Sequence, residues 1–146
     1  MATLGQLLDS HRAGVVEDCL RIIDAEVSDK SGFSGLAIKA GFAAIKGVKP
    51  GFIKEAVIEL LPEFATALDP LYQAAQTGNV PVGDYFLQHR SRVAQALLAI
   101  TDAKALLSPS AVVRGAYDRL RGAAERNVEA AVPRMAQLLA KYAVKR

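Results

Sequence analysis

The sequence is poor in the residues on which most protein chemistry is built. Its 146 residues include one cysteine, two histidines and no tryptophan, and aromatic residues make up 6%. With Cys19 alone, no disulfide forms within the chain, which excludes a disulfide-stapled scaffold and a cysteine-rich zinc module. His11 and His89 are far apart, and neither sits in a Glu-x-x-His or His-x-x-x-His pattern. The ligand spacing of a helical metal centre is therefore missing. No Gly-x-Ser-x-Gly elbow, Walker loop or dinucleotide fingerprint is present either. We expect no metal, no cofactor and no catalytic residue. Uninterrupted apolar stretches fall short of the roughly 20 residues that span a bilayer. Residues 1–10 lack the basic start and apolar run of a signal peptide. The expected setting is cytoplasmic, with no transmembrane segment.

What the chain does contain favours helix. Alanine occurs 26 times, valine and isoleucine together 20 times. Alanine loses no side-chain entropy in a helix, whereas β-branched residues do. No segment alternates polar and apolar residues with period two, so no sheet is expected. Hydrophobic residues at 51% and charged residues at 23% suit one globular domain over residues 1–146. The expected fold is all-α: a bundle of six to eight helices with a long, kinked C-terminal one.

Local signals place the helices. Thr3 and Gln6 have capping-box spacing. A helix is expected over His11–Ser28, on Val16, Leu20, Ile23 and Val27. The Ser31–Gly35 segment breaks it. The next runs Ser34–Gly47, with Ala37, Ala40, Gly41, Ala44 and Val48 as a buried small-residue stripe. Phe52–Thr77 contains Pro62 and Pro70, so a kink or break is expected near Leu61 and another near Asp69. A short helix covers Val82–His89. Ser91 caps the following one, whose stripe is Val93, Leu97, Ile100 and Leu107. Ser108 caps the last, with Pro109 in its first turn. Val113, Tyr117, Leu120, Ala124, Val128, Ala131, Met135, Leu138 and Tyr142 mark it to the C-terminus, and Pro133 kinks it. The Gly-Phe pairs at 32–33, 41–42 and 51–52 have different surroundings, so no internal repeat is expected.

The net charge of +3 is unevenly spread. Residues 1–29 carry six acids against Arg12 and Arg21, while residues 109–146 carry eight bases against Asp118, Glu125 and Glu129. An acidic start and a basic end attract each other within a fold.

Five features are candidates for chemistry. Lys39, Lys46, Lys49 and Lys54 occur with no acid between Lys30 and Glu55, interleaved with Phe33, Phe42 and Phe52. Lysines among aromatics suit contact with acidic lipid or nucleic acid. Glu55, Glu59 and Glu63 share a helix face, which is read first as a solvated stripe or as partners of the basic last helix. Asp102 sits inside an apolar helix and needs a partner, for which an arginine of the last helix is expected. Cys19 lies on an apolar stripe and is read as a core residue. The glycine- and serine-rich Ser31–Gly35 segment could present backbone N–H groups to an anion but is read first as a plain turn.

The runs Asp24-Ala25-Glu26-Val27-Ser28-Asp29-Lys30-Ser31-Gly32, Ala37-Ile38-Lys39-Ala40-Gly41-Phe42, Leu60-Leu61-Pro62-Glu63-Phe64, Gly83-Asp84-Tyr85 and Ala96-Leu97-Leu98-Ala99-Ile100-Thr101-Asp102-Ala103 carry a resemblance. Over almost its whole length the chain resembles a family of small, wholly helical bacterial proteins of unknown function. The resemblance implies no activity, ligand or site residue. Helical periodicity accounts for most positions, so the expected function is a non-enzymatic interaction or scaffold protein that pairs with itself or with another protein. The alternatives are an anion-binding module on the Lys39–Lys54 segment, and a small-ligand carrier or enzyme with a pocket between helices near Pro62 and Pro133.

Overall fold

In the computed structural model, residues 3–30 and 32–143 are described, with the side chains of residues 32–34 outside that description. Seven helices account for nearly all of these residues, and no strand occurs among them: α1 Leu4–Ser10, α2 Arg12–Asp29, α3 Gly32–Lys46, α4 Phe52–Thr77, α5 Val82–Gln88, α6 Arg90–Leu107 and α7 Ala111–Ala143. The molecule is all-α. None of its described helices is long and apolar enough to cross a membrane.

The caps explain the boundaries. The Thr3 hydroxyl accepts from the Gln6 N–H, and the Gln6 side chain accepts from the Thr3 N–H, closing the capping box of α1. Gly51 (φ 74°) and Asn79 (φ 59°) are the two left-handed residues among those described, one before α4 and one after it. The start of α7 differs from expectation. Ser110, rather than Ser108, accepts the Val113 N–H, while Ser108 accepts from Ser110 and holds the approach. Likewise α6 starts at Arg90 after His89, not at a Ser91 cap.

The prolines do not break their helices. Both Pro62 and Pro70 lie inside α4, and Pro133 inside α7. All three are exposed. A proline on the solvent face leaves its orphaned carbonyl to water, so the helix continues. Spanning 33 residues, α7 extends on the order of 50 Å.

Burial corrects two stripes. On α3, Ala37 and Ala40 are exposed, whereas Ile38, Phe42 and Ile45 turn partly inward with Gly41. A Cβ on Gly41 would lie 3.0 Å from the Leu120 side chain, so this glycine is where α3 meets α7. On α6, Val93, Ala94 and Leu98 are buried but Leu107 is exposed. The core joins Leu4, Leu8, Val15, Leu68, Leu71, Tyr72, Val82, Phe86, Val93, Val132, Leu139 and Tyr142 in one cluster. Each buried leucine or valine contributes about 1.5–3 kcal/mol relative to exposure.

Contrary to the sequence expectation, the fold contains an internal repeat. A seven-residue helix, a histidine junction and an 18-residue helix occur twice, as α1–His11–α2 and as α5–His89–α6. Backbone angles at the junctions agree: φ −123°, ψ 30° at His11 and φ −119°, ψ 36° at His89. With 78 positions between equivalents, Gly5, His11, Arg12, Val15, Leu20, Ile22, Asp24 and Ala25 recur as Gly83, His89, Arg90, Val93, Leu98, Ile100, Asp102 and Ala103. Burial follows the same correspondence: Leu4, Leu8, Val15 and Val16 are buried, as are Val82, Phe86, Val93 and Ala94.

The correspondence resumes in the long helices with a spacing of 71, where Pro62, Ala65 and Leu68 match Pro133, Ala136 and Leu139. Contacts agree here too, since Gly5 approaches Ala65 and Gly83 approaches Ala136. The second unit is thus seven residues shorter between these blocks. Seven residues make about two helical turns, so the counterparts of α3 and α4 fuse into the single helix α7. The first unit comprises α1–α4 and the second α5–α7. They pack reciprocally, α2 of the first on α7 and α6 of the second on α4.

Candidate functional site

Among the described residues, Asp18 on α2 is the one buried charged side chain, and it anchors a polar network. Its carboxylate accepts from the Tyr142 hydroxyl at 2.7 Å, from Lys141 Nζ at 2.9 Å and from the Arg21 guanidinium. Gly14, one turn earlier, makes this possible: a Cβ there would stand 2.7 Å from the Tyr142 hydroxyl oxygen. The His11 ring lies 5.1 Å from that of Tyr142. Hydrogen bonds from Lys141 and Tyr142 outweigh burial and hold the Asp18 carboxyl down to about 2. Burial, and then the neighbouring carboxylate, push Tyr142 above the usual phenol value. Cys19, half-buried beside Asp18, is pushed up to about 11, chiefly by burial. Its thiol is protonated near neutral pH and is a poor nucleophile.

A groove of about 320 Å³ runs along this seam, with Ile22, Ala25 and Leu138 as apolar lining and Arg21, Arg134 and Lys141 as cations. Beside it the Arg134 guanidinium pairs with Glu26 and with Asp29, the latter at 2.8 Å. The acidic start of the chain thus holds its basic end. A second groove, about 370 Å³, lies between α1 and α4 beside Leu61 and Pro62. Both open grooves border the helices that carry Pro62 and Pro133.

Asp102 faces α7. Arg121 grips it through Nε at 2.8 Å and through a terminal nitrogen at 3.2 Å, and the Tyr117 hydroxyl donates to it. Thr101 Oγ1 lies 2.7 Å from that hydroxyl. Arg121 first and then Tyr117 lower the Asp102 carboxyl below its ordinary value. Burial first and then the hydrogen bond to Asp102 push Tyr117 up to about 12.

The four candidate lysines differ in their partners. Lys39 and Lys46 are exposed on α3, with Lys46 Nζ 5.4 Å from the Phe42 ring centre. Lys49 pairs with Glu55 at 2.9 Å, and Lys54 with Glu17 at 3.2 Å. Two of the four thus face acids of neighbouring segments, and Lys39 and Lys46 form no ion pair among the described residues. The stripe glutamates differ likewise: Glu63 pairs with Lys104 of α6 at 2.7 Å, and neither Glu55 nor Glu63 pairs with α7 among the described residues. Ser31 and the side chains of residues 32–34, which include Phe33, lie outside the described residues. No group of three or more potential metal ligands occurs among the described residues.

The sequence reading missed one surface. Leu106 and Leu107 at the end of α6 are 80% and 81% exposed, and Val112 at the start of α7 is 54% exposed. The two leucines were legible only as continuing an apolar helix. Their equivalents in the first unit, Ser28 and Asp29, are polar, and that of Val112 is Ser34. Alignment of the two units would have shown the departure.

Comparison with curated proteins and with solved structures gives no match. Over residues 4–143 the chain matches DUF6918, and it belongs to this family of unknown function.

Proposed function

We propose that the protein is a non-enzymatic interaction or scaffold protein and that it associates with itself through the α6–α7 corner. One observation carries this reading: Leu106, Leu107 and Val112, on either side of the α6–α7 turn, are exposed where the equivalent positions of the first unit carry Ser28, Asp29 and Ser34. Clustered exposed aliphatics mark interaction sites in soluble proteins. Burying one leucine contributes about 1.5–3 kcal/mol, so two copies meeting here gain from each. The resemblance and the composition favour the cytoplasm of a bacterial cell as the setting. Light scattering across a concentration series tests the proposal. The native protein is expected to exceed its monomer mass, and L106S/L107S is expected to remain monomeric with unchanged helical circular dichroism. A native protein that stays monomeric at the highest concentration refutes it.

A second reading is an anion-binding face on α3. It is favoured by Lys39 and Lys46, which are exposed and form no ion pair among the described residues. It predicts salt-sensitive sedimentation with acidic vesicles or retardation of nucleic acid, lost in K39E/K46E. No binding by the native protein at low salt removes it.

A further inference from the structure

The two units meet along reciprocal seams, and the ion pairs across those seams have a common polarity. On one side Glu26 pairs with Arg134, and on the other Glu63 pairs with Lys104. These are the same contact seen twice: Glu26 and Lys104 are equivalent in α2 and α6, and Glu63 and Arg134 are equivalent in α4 and α7. In both pairs the acid comes from the first unit and the base from the second. Asp29–Arg134 and Asp18–Lys141 obey the same rule, so it holds for every inter-unit ion pair among the described residues. The bias extends to whole units. Residues 1–78 carry ten acids against seven bases, and residues 79–146 five acids against eleven bases.

We infer that this charge partition makes the seam between the units selective: the first unit accepts a second unit and rejects another first unit. Because the units present equivalent surfaces, a second copy of the chain offers each unit a like partner as well as an unlike one. Pairing two first units would set Glu26 against Glu63 twice over. Pairing two second units would set Lys104 against Arg134. Like pairing of first units would also face Asp18 with Pro70, the equivalent of Lys141, leaving a buried carboxylate without that cation. Specificity of this kind comes from repulsion in the wrong complex as much as from attraction in the right one. The hydrophobic contacts cannot supply it, because the units share their apolar pattern. The partner rejected is a like unit of a second copy, which is a separate matter from contact through the α6–α7 corner.

The double variant E63K/R134E tests this. It keeps the net charge but makes both inter-unit pairs repulsive and both like pairs attractive. Full-length chains bearing two different affinity tags are unfolded and refolded together, or are mixed only after folding. Capture on one tag then reports the other. Association through the α6–α7 corner contributes to both protocols, so the excess on co-refolding isolates exchange of units. For E63K/R134E this excess is expected to rise several-fold over the native chain. The fourfold reversal E26K/E63K/K104E/R134E, which restores attraction at both equivalent pairs and leaves only Asp29 facing a like charge, is expected to return it toward the native level. If E63K/R134E does not refold, E63K/K104E takes its place. That variant keeps both pairs closed within the chain but no longer repels like units, so its excess should also exceed the native one at equal concentration. An excess equal to the native level in the refolded variant overturns the inference.

Discussion

Replacing Asp18 by asparagine tests the electrostatic account of the α2–α7 seam. The substitution keeps the shape and an acceptor for the Tyr142 hydroxyl but removes the charge shared by Lys141 and Arg21. The carboxyl is held down to about 2 in the fold, against about 3.9 in an unfolded chain. A difference of this size corresponds to about 2.5 kcal/mol at neutral pH. Lys141 and Arg21 are 58% and 70% exposed, so solvent screens their share. A realistic cost for D18N is about 1–2 kcal/mol. In a chain of this size that lowers Tm by about 3–6 °C. The sign of the pH dependence follows from the direction of the shift. A depressed carboxyl stabilises the fold fully above its unfolded value and loses that contribution as pH falls toward the folded value. Urea denaturation of both proteins should therefore show a gap at pH 7 that narrows by about half at pH 3. An unchanged gap at the two pH values, or none at pH 7, would refute the account.

Two further outcomes follow from local geometry. A Cβ at Gly83 would lie 2.9 Å from the Ala136 carbonyl oxygen, whereas at the equivalent Gly5 the nearest atoms are 3.7 Å and more away. Urea titration should show G83A destabilised by about 1–3 kcal/mol and G5A neutral or stabilised by up to about 1 kcal/mol. Removing the Tyr117 hydroxyl in Y117F takes a hydrogen bond from Asp102 and should cost about 0.5–1.5 kcal/mol. It should also move the Asp102 carboxyl part of the way back toward its ordinary value in an NMR titration, because Arg121, the larger cause of the shift, remains.

Much of the secondary structure was legible because it is local. The Thr3–Gln6 cap and the four- and three-residue steps of α7 depend on neighbours within a turn or two. The prolines left both a kink and a break open, since the sequence alone does not say whether a ring points to solvent; both helices run on through them. The same holds for the α3 stripe: Ala37 and Ala40 and the set Ile38, Phe42 and Ile45 both fit helical spacing around Gly41, and packing turned the second set inward. The repeat was obscured because its matches require two different offsets, and because a turn in the first unit corresponds to continuous helix in the second. Seen once, it explains the pairing of Glu63 with Lys104 that the stripe alone did not suggest.

The sequence by itself determined that this chain is helical, where most helices start and stop, and that its ends attract. Capping, propensity and periodicity are settled within a few residues, and long-range attraction needs only opposite net charge. Tertiary structure alone decided which face each helix buries, that Asp18 sits under Tyr142 and Lys141, and that two equivalent units meet with opposite charges. Those outcomes depend on which surfaces approach across more than a hundred residues of chain, and burial, close approach and ion pairing acquire their energies only when that approach occurs.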